Sequence, residues 1–293
     1  MNGKGSFIDG HDWAAQPLRP HDPERLGPYR LLGRLGEGGM GTVYLAGAED
    51  GRQVAVKVVR EAHLRREGFA ERFHAEMVSA RRVSSSRTSR VLDHGVAADG
   101  RPYLVTEYIP GESLDQRIRR SGRLDPASLQ NIASGVAAAL AAIHAAGVVH
   151  LDLKPANVIL SPSGPRVIDF GVARALDDPA EDAVFAGTPG WGAPEQVAGG
   201  EVTPAADIFA WGCLVAYAGS GRHPFGEGDA ETMAERVRHG EPEVGALPQP
   251  LDRLVRQALD RDPARRPRAR ELLLRLVEPG GEPVGSAPGR EHA

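Results

Sequence analysis

Gly147-Val148-Val149-His150-Leu151-Asp152-Leu153-Lys154-Pro155-Ala156-Asn157-Val158-Ile159-Leu160 runs on through Ser161-Pro162-Ser163-Gly164-Pro165 and ends, after Arg166, in Val167-Ile168-Asp169-Phe170-Gly171. The reading of this stretch decides the fold. Two apolar runs, Val158 to Leu160 and Val167 to Ile168, flank a turn of Ser, Pro and Gly, which is the pattern of a short β-hairpin. Asp152 and Asn157 stand just before the hairpin and Asp169 just after it. A hairpin brings its two ends together, so two carboxylates and one amide are expected to converge on one spot. Oxygen donors of that kind suit a hard cation such as Mg²⁺, which keeps several waters and needs only one or two carboxylates plus substrate phosphates.

Working outward, Tyr29 to Leu35 reads as a strand entering Gly36-Glu37-Gly38-Gly39-Met40-Gly41-Thr42-Val43, and Val43 to Ala46 leaves it as a second strand. Glycines at 36, 38 and 41 let backbone N–H groups approach phosphate oxygens with no Cβ in the way. A merely flexible hairpin reads the same. A dinucleotide-binding loop would need a helix where Val43-Tyr44-Leu45-Ala46 reads as strand. In Gln53-Val54-Ala55-Val56-Lys57-Val58-Val59, alternation sets Ala55 and Lys57 on one face and the valines 54, 56 and 58 on the other. A buried lysine there needs a partner, whereas an edge-strand lysine would guard against aggregation. Phe69, Phe73, Met77 and Ala80 mark a helical stripe. Glu76 falls on it, as a partner for Lys57 or as an acid at the stripe's margin. The loop Ser84-Ser85-Ser86-Arg87-Thr88-Ser89 reads as a solvated turn rather than a phosphorylation site. Tyr103 to Ile109 reads as a buried strand ending at Pro110-Gly111.

Beyond it, Asp125-Pro126 caps a helix in which Leu129, Ile132, Val136, Leu140 and Ile143 repeat at three and four, with Gly147 closing it. Thr203-Pro204 opens another helix, apolar almost all round from Ile208 to Ala218, hence buried. Asp207 sits in its first turn, where an acid with no other task would complement the helix dipole. Asp262-Pro263-Ala264-Arg265-Arg266-Pro267 precedes a last helix, Glu271 to Val277.

His150-x-Asp152-x-Lys154-x-x-Asn157 followed by Asp169-Phe170-Gly171 resembles the catalytic loop and metal motif of eukaryotic-type (Hanks-type) protein kinases, and the other motifs follow that family's order over roughly residues 25 to 278. The resemblance implies an α+β, bilobal protein-kinase-like fold: a small antiparallel-sheet N-lobe with one main helix (about 26–108) and a larger, mostly helical C-lobe (about 109–278). Residues 1–25 are expected to be a disordered arm with one anchoring contact from Trp13, and 279–293 a disordered tail.

The resemblance also implies roles. Gly36, Gly38 and Gly41 cover the ATP phosphates, and Lys57, held by Glu76, grips them. Asn157 and Asp169 hold Mg²⁺, for which Mn²⁺ could substitute. Asp152 orients the acceptor hydroxyl and takes its proton, while Lys154 neutralises the γ-phosphate. Leu35, Val43, Ala55 and Ile159 enclose the adenine, Thr106 takes the gatekeeper position, and backbone groups of Glu107 and Ile109 meet the base edge. Asp207 matches the residue that anchors the catalytic-loop backbone, and Arg266 the partner of Glu195 in Ala193-Pro194-Glu195. Lys154, together with Gly187-Thr188, matches serine/threonine rather than tyrosine kinases.

Two departures stand out. Leu151 replaces the arginine that precedes the catalytic Asp in many kinases and binds a phosphate on the activation loop. Between Asp169 and Gly187 there is no Ser, Thr or Tyr, but Asp177, Asp178, Glu181 and Asp182 are present. Receptor and phosphate are missing together, so switching is expected not to use phosphorylation in that loop. Thr188 is expected to hydrogen-bond the catalytic loop instead.

Composition narrows the alternatives. The 293 residues carry a net charge of -4, which does not mark a general nucleic-acid binder, and the single Cys213 excludes a disulfide framework or a cysteine-rich zinc site. Residues 1–16 lack an apolar signal segment, and the apolar stretches 132–149 and 208–218 read as buried helices. The expectation is a cytoplasmic, soluble kinase without membrane or nucleic-acid partners, acting on protein Ser/Thr hydroxyls and taking its input from an unidentified activator. The Ala, Arg and Gly bias resembles that of actinomycetes. A competing reading is a pseudokinase scaffold, although Lys57, Asp152 and Asp169 are all kept. A small-molecule kinase is disfavoured by Lys154-Pro155 and by Ala193-Pro194-Glu195, which build a protein-substrate platform.

Overall fold

The computed structural model describes residues 15–39, 41–61, 69–170, 188 and 190–277. Trp13, Met40, Gly171, the acidic run from Asp177 to Asp182, Gly187 and the tail 279–293 lie outside the described residues. The N-terminal part is an antiparallel sheet in the order β1-β2-β3-β4-β6-β5. Its strands are β1 (Arg25–Leu26), β2 (Tyr29–Gly38), β3 (Gly41–Gly47), β4 (Gln53–Val59), β5 (Val91–Val96) and β6 (Pro102–Glu107). Between β4 and β5 the chain forms α1 (Phe69–Ala80).

Register sorts this sheet into two faces. Val43, Lys57 and Leu104 lie side by side, and Leu45, Ala55 and Thr106 form the next row on the same side. On the opposite face Tyr44, Ala46, Val54, Val56, Val58, Tyr103 and Val105 build a buried core. On the first face Val59 and Leu104 pack under Phe69, Phe73 and Met77 of α1, the apolar stripe expected from the sequence. The return from β2 to β3 is tight: a Cβ on Gly41 would stand 2.0 Å from the Val58 carbonyl oxygen, so only glycine fits there.

The C-terminal part carries a small antiparallel sheet, β7 (Glu112–Ser113), β8 (Val158–Ser161) and β9 (Gly164–Val167), and the helices α2 (Leu114–Ser121), α3 (Pro126–Ala145), α4 (Pro194–Val197), α5 (Ala205–Ser220), α6 (Ala230–His239), α7 (Leu251–Ala258) and α8 (Ala269–Val277). Asp125 caps α3 by accepting from the Ala127 and Ser128 amides at 3.0 Å each. By length and composition α3 could cross a membrane, but its apolar face packs against α5, α8 and β9. Along α5 every residue from Ala206 to Ala216 is buried. Trp211 Nε1 donates to the Ala133 carbonyl at 3.0 Å, which satisfies the one polar atom of that side chain inside the core.

Three expectations need correction. The β8–β9 turn is tighter than the Ser161–Pro165 span suggested: Ser161 pairs with Gly164 and Leu160 with Pro165. The 84–89 loop is not a solvated turn throughout. Thr88 and Ser89 are buried, because this segment pairs with β9: Ser89 N donates to Val167 O at 2.9 Å and Val167 N to Arg87 O at 2.8 Å. Finally, residues 15–25, read as part of a disordered arm, are hydrogen-bonded to β2 through Gln16, Glu24 and Arg25.

Candidate active site

The β8–β9 hairpin does what its sequence promises. Val158 pairs with Val167, Ile168 N donates to the Asn157 carbonyl at 3.0 Å, and His150 Nε2 donates to Ile168 O at 3.0 Å. The segments before and after the hairpin are thereby tied together. Asn157 Nδ2 donates to the Asp152 carbonyl at 2.8 Å and to its carboxylate Oδ2 at 3.2 Å. Lys154 Nζ sits 3.0 and 2.7 Å from the two Asp152 oxygens and 2.6 Å from Thr188 Oγ1. Thr188 in turn donates to Asp152 Oδ1 at 3.2 Å, so the residue just past the undescribed segment returns to the catalytic loop, as expected. From the other sheet Lys57, buried on β4, brings Nζ to 3.1 Å from Asp169 Oδ2.

The loop that carries Asp152 is anchored from beneath. Asp207, 1% exposed, accepts from His150 N at 2.8 Å, from Leu151 N at 2.9 Å and from His144 Nε2 at 2.7 Å. The anchoring role expected for Asp207 is therefore seen in these bonds. Among the described residues two non-glycine positions hold positive φ, Leu151 at 65° and Asp169 at 63°. Such backbone costs on the order of 1–3 kcal/mol each and persists where its surroundings over-determine it. At Leu151 they do: Asp207 takes its N–H, Gln196 Nε2 donates to its carbonyl at 3.3 Å, and its side chain joins the C-terminal core. Leu151 thus contributes packing where an arginine would contribute charge. Farther out, Arg266 makes a two-pronged bond to Glu195 at 2.7 and 2.9 Å and stacks over Phe209, the pairing read from the sequence.

The residues expected around a base fall as follows. Val43, Ala55 and Thr106 share the Lys57 face of the sheet, and Leu35 and Ile159 are half-buried. Ile109 is buried. Glu107 uses its N–H on Arg90 O at 2.9 Å, and its side chain is held by Arg166 at 2.9 Å. Pro110-Gly111 passes close over β8: a Cβ on Gly111 would lie 2.5 Å from the Leu160 carbonyl oxygen. Gly36 and Gly38 lie at the exposed end of β2, and Glu76 is half-buried on α1 between Phe73 and Met77.

Asp169, Asn157 and Asp152 supply oxygen donors only, which suits a hard cation. Among the described residues no three His, Cys, Asp or Glu side chains gather into a metal cage of their own.

Sequence reasoning missed His144 and Gln196. The signal for His144 was a histidine on an otherwise apolar helix; for Gln196 it was a residue three places after Ala193, whose N–H its Oε1 accepts at 2.9 Å.

Known proteins resemble this chain in sequence and in fold. The chain is 43% identical over 263 residues to the probable serine/threonine-protein kinase PkwA of Thermomonospora curvata, covering 89% of this chain and 35% of that protein. It is 40% identical over 284 residues to the serine/threonine-protein kinase AfsK of Streptomyces griseus, covering 93% and 35%. The chain therefore spans about a third of the length of these curated relatives. Its fold is similar to the crystal structure of the Mycobacterium tuberculosis PknI kinase domain, with a TM-score of 0.69, 27% identity, and 86% of this chain and 96% of that chain covered. Residues 29–275 match the protein kinase domain family, and the chain belongs to that family.

Proposed function

We propose that the chain is a serine/threonine protein kinase that transfers the γ-phosphate of ATP, as the Mg²⁺ complex, to Ser/Thr hydroxyls of proteins in the cytoplasm. The observation that carries this reading is the 3.1 Å contact between Lys57 on β4 and Asp169 after β9, which joins the two sheets at the point where the phosphates would lie. Phosphoryl transfer asks a protein mainly for positioning and charge stabilisation. Lys57 grips the phosphates and Glu76 pairs with it. Asp169 and Asn157 hold Mg²⁺, which when bound draws charge from the phosphate oxygens. Asp152, oriented by Lys154, Thr188 and Asn157, accepts the proton of the incoming hydroxyl. With Leu151 packed into the core and no hydroxyl residue between Asp169 and Gly187, activation does not run through phosphorylation of that loop.

The test is transfer from ATP with Mg²⁺ to the chain itself and to a basic protein. Asp152→Asn should lower kcat by about 10²–10⁴-fold with ATP binding retained, and Asp169→Asn should weaken Mg²⁺-dependent ATP binding. ATP binding without any transfer by the parent chain would favour a scaffold; absence of ATP binding would overturn the reading.

A further inference from the structure

The sheet also carries a polar network that the transfer chemistry does not use. Residues 15–26 lie along β2 as an added edge: Gln16 N donates to Arg34 O at 2.8 Å, Arg34 N to Gln16 O at 2.7 Å, and Leu31 N to Glu24 O at 2.9 Å. Leu26 is buried in the sheet core and Leu18 packs against it. Within this run Asp22, its side chain 7% exposed, accepts from Arg34 Nη1 at 2.6 Å, from the Tyr44 hydroxyl at 2.8 Å and from Arg19 N at 2.8 Å. Burial alone would raise the Asp22 carboxyl; the Arg19 amide, Tyr44 hydroxyl and Arg34 guanidinium outweigh it and bring its pKa below the ordinary value.

The same guanidinium reaches forward. Arg34 Nη2 donates to Glu37 Oε2 at 2.8 Å, Arg19 Nη1 to the same oxygen at 3.1 Å, and Arg60 Nη2 to Oε1 at 3.4 Å. Glu37 stands between Gly36 and Gly38, in the loop that would cover the phosphates. A carboxylate there repels a polyphosphate unless cations offset it, and three guanidiniums do. Arg34 is a rigid fork with donors on both arms, one arm on Asp22 and the other on Glu37. It therefore passes the position of the 15–26 segment directly to the loop.

We propose that residues 15–26 form a strap that sets the pose of the glycine-rich loop, with Asp22 and Arg34 as positioning residues for nucleotide binding. The proposal rests on the nucleotide reading of that loop. Its test uses the full chain with Asp22→Asn, which keeps shape and removes charge, and with Arg19→Ala, an exposed change that leaves the buried pair intact. Amide hydrogen exchange is followed over 36–43, and KM for ATP and kcat are measured. In Asp22→Asn the loop amides should exchange about threefold faster or more, and KM for ATP should rise about three- to tenfold with kcat held within about twofold. Arg19→Ala should move both in the same direction by about twofold. Unchanged loop exchange in both variants, with only a lower melting temperature, overturns the strap. Faster exchange with an unchanged KM for ATP overturns its link to nucleotide binding. If the parent binds no ATP, the kinase reading fails, while the exchange comparison still decides whether the strap holds the loop.

Discussion

The catalytic loop and the glycine-rich loop adjoin the two different sheets that the Lys57–Asp169 contact joins, and they are held by different forces. The first is fixed through its backbone: Asp207 takes the N–H groups of His150 and Leu151 in a site closed to water. The second is fixed through side chains at its rim, where Glu37 remains 38% exposed and Arg19 61% exposed. Buried, backbone-directed bonds can hold the positive φ of Leu151; exposed ion pairs contribute about 0–1 kcal/mol each and yield to solvent. The difference suits the work proposed for each loop. Proton acceptance needs fixed geometry, whereas a loop over a nucleotide must open and close.

The hardest test of this contrast is to remove one holding group on each side. Asp207→Ala leaves the buried His150 and Leu151 amides without their acceptor and frees His144. It should destabilise the chain by about 3–5 kcal/mol, read as a lower denaturant midpoint, and transfer activity should fall with it. Arg19→Ala should cost less than about 0.5 kcal/mol. Equal costs would mean that the two loops are not held differently.

Proton uptake separates the helical part from the strap by pH. His223 lies beside Trp191, ring centroids 4.7 Å apart, and burial lowers its pKa to about 4, against a smaller opposing contribution from the Gly190 backbone. For a base whose folded pKa lies below its unfolded value, the unfolded chain binds more protons in between. Stability therefore falls as pH drops from about 6.5 towards 4, by at most about 3 kcal/mol, and partial exposure of the ring trims this. The Asp22 carboxyl has a folded pKa below 3.8. Its contribution is present above that value and is lost only as pH falls further. Between pH 6.5 and 4 the helical part should weaken while the strap stays docked. Melting curves across that range should slope for the parent and flatten for His223→Asn. The same slope in both chains would exclude His223 as its source.

These residues also mark what could be read from sequence. The catalytic loop was legible because its polar residues interrupt an apolar hairpin within a short span, and Asp207 because an acid opens a helix that is otherwise apolar. Lys57 stood out for the same reason in β4. The strap was not legible. Its Asp, Arg and Pro composition looks unstructured, and its order comes from backbone bonds to the edge of β2 and from a carboxylate that meets Arg34 only in the folded sheet. The 84–89 loop misled similarly: Ser and Thr suggest water, yet Thr88 and Ser89 are covered because β9 pairs with them. Patterns local in sequence carry burial along one element; they carry nothing about an edge supplied from far along the chain.

A milder change probes the ground between the two loops. Ser113 ends β7 and opens α2 with reciprocal bonds: Gln116 N donates to Ser113 Oγ at 3.2 Å, and Ser113 N donates to Gln116 Oε1 at 2.8 Å. Ser113 also pairs with Ile159 of β8, the residue expected beneath the adenine. Ser113→Ala removes the first bond and keeps the second, so it should cost about 1 kcal/mol and lower the melting temperature by about 2–4 °C. KM for ATP should stay within about twofold, because Ile159 is also held from its other side by Arg166 of β9. A larger rise in KM, with only the small loss of stability, would mean that this edge of the site is positioned from α2. The site would then have a third, softer support beside the anchored catalytic loop and the strapped glycine loop.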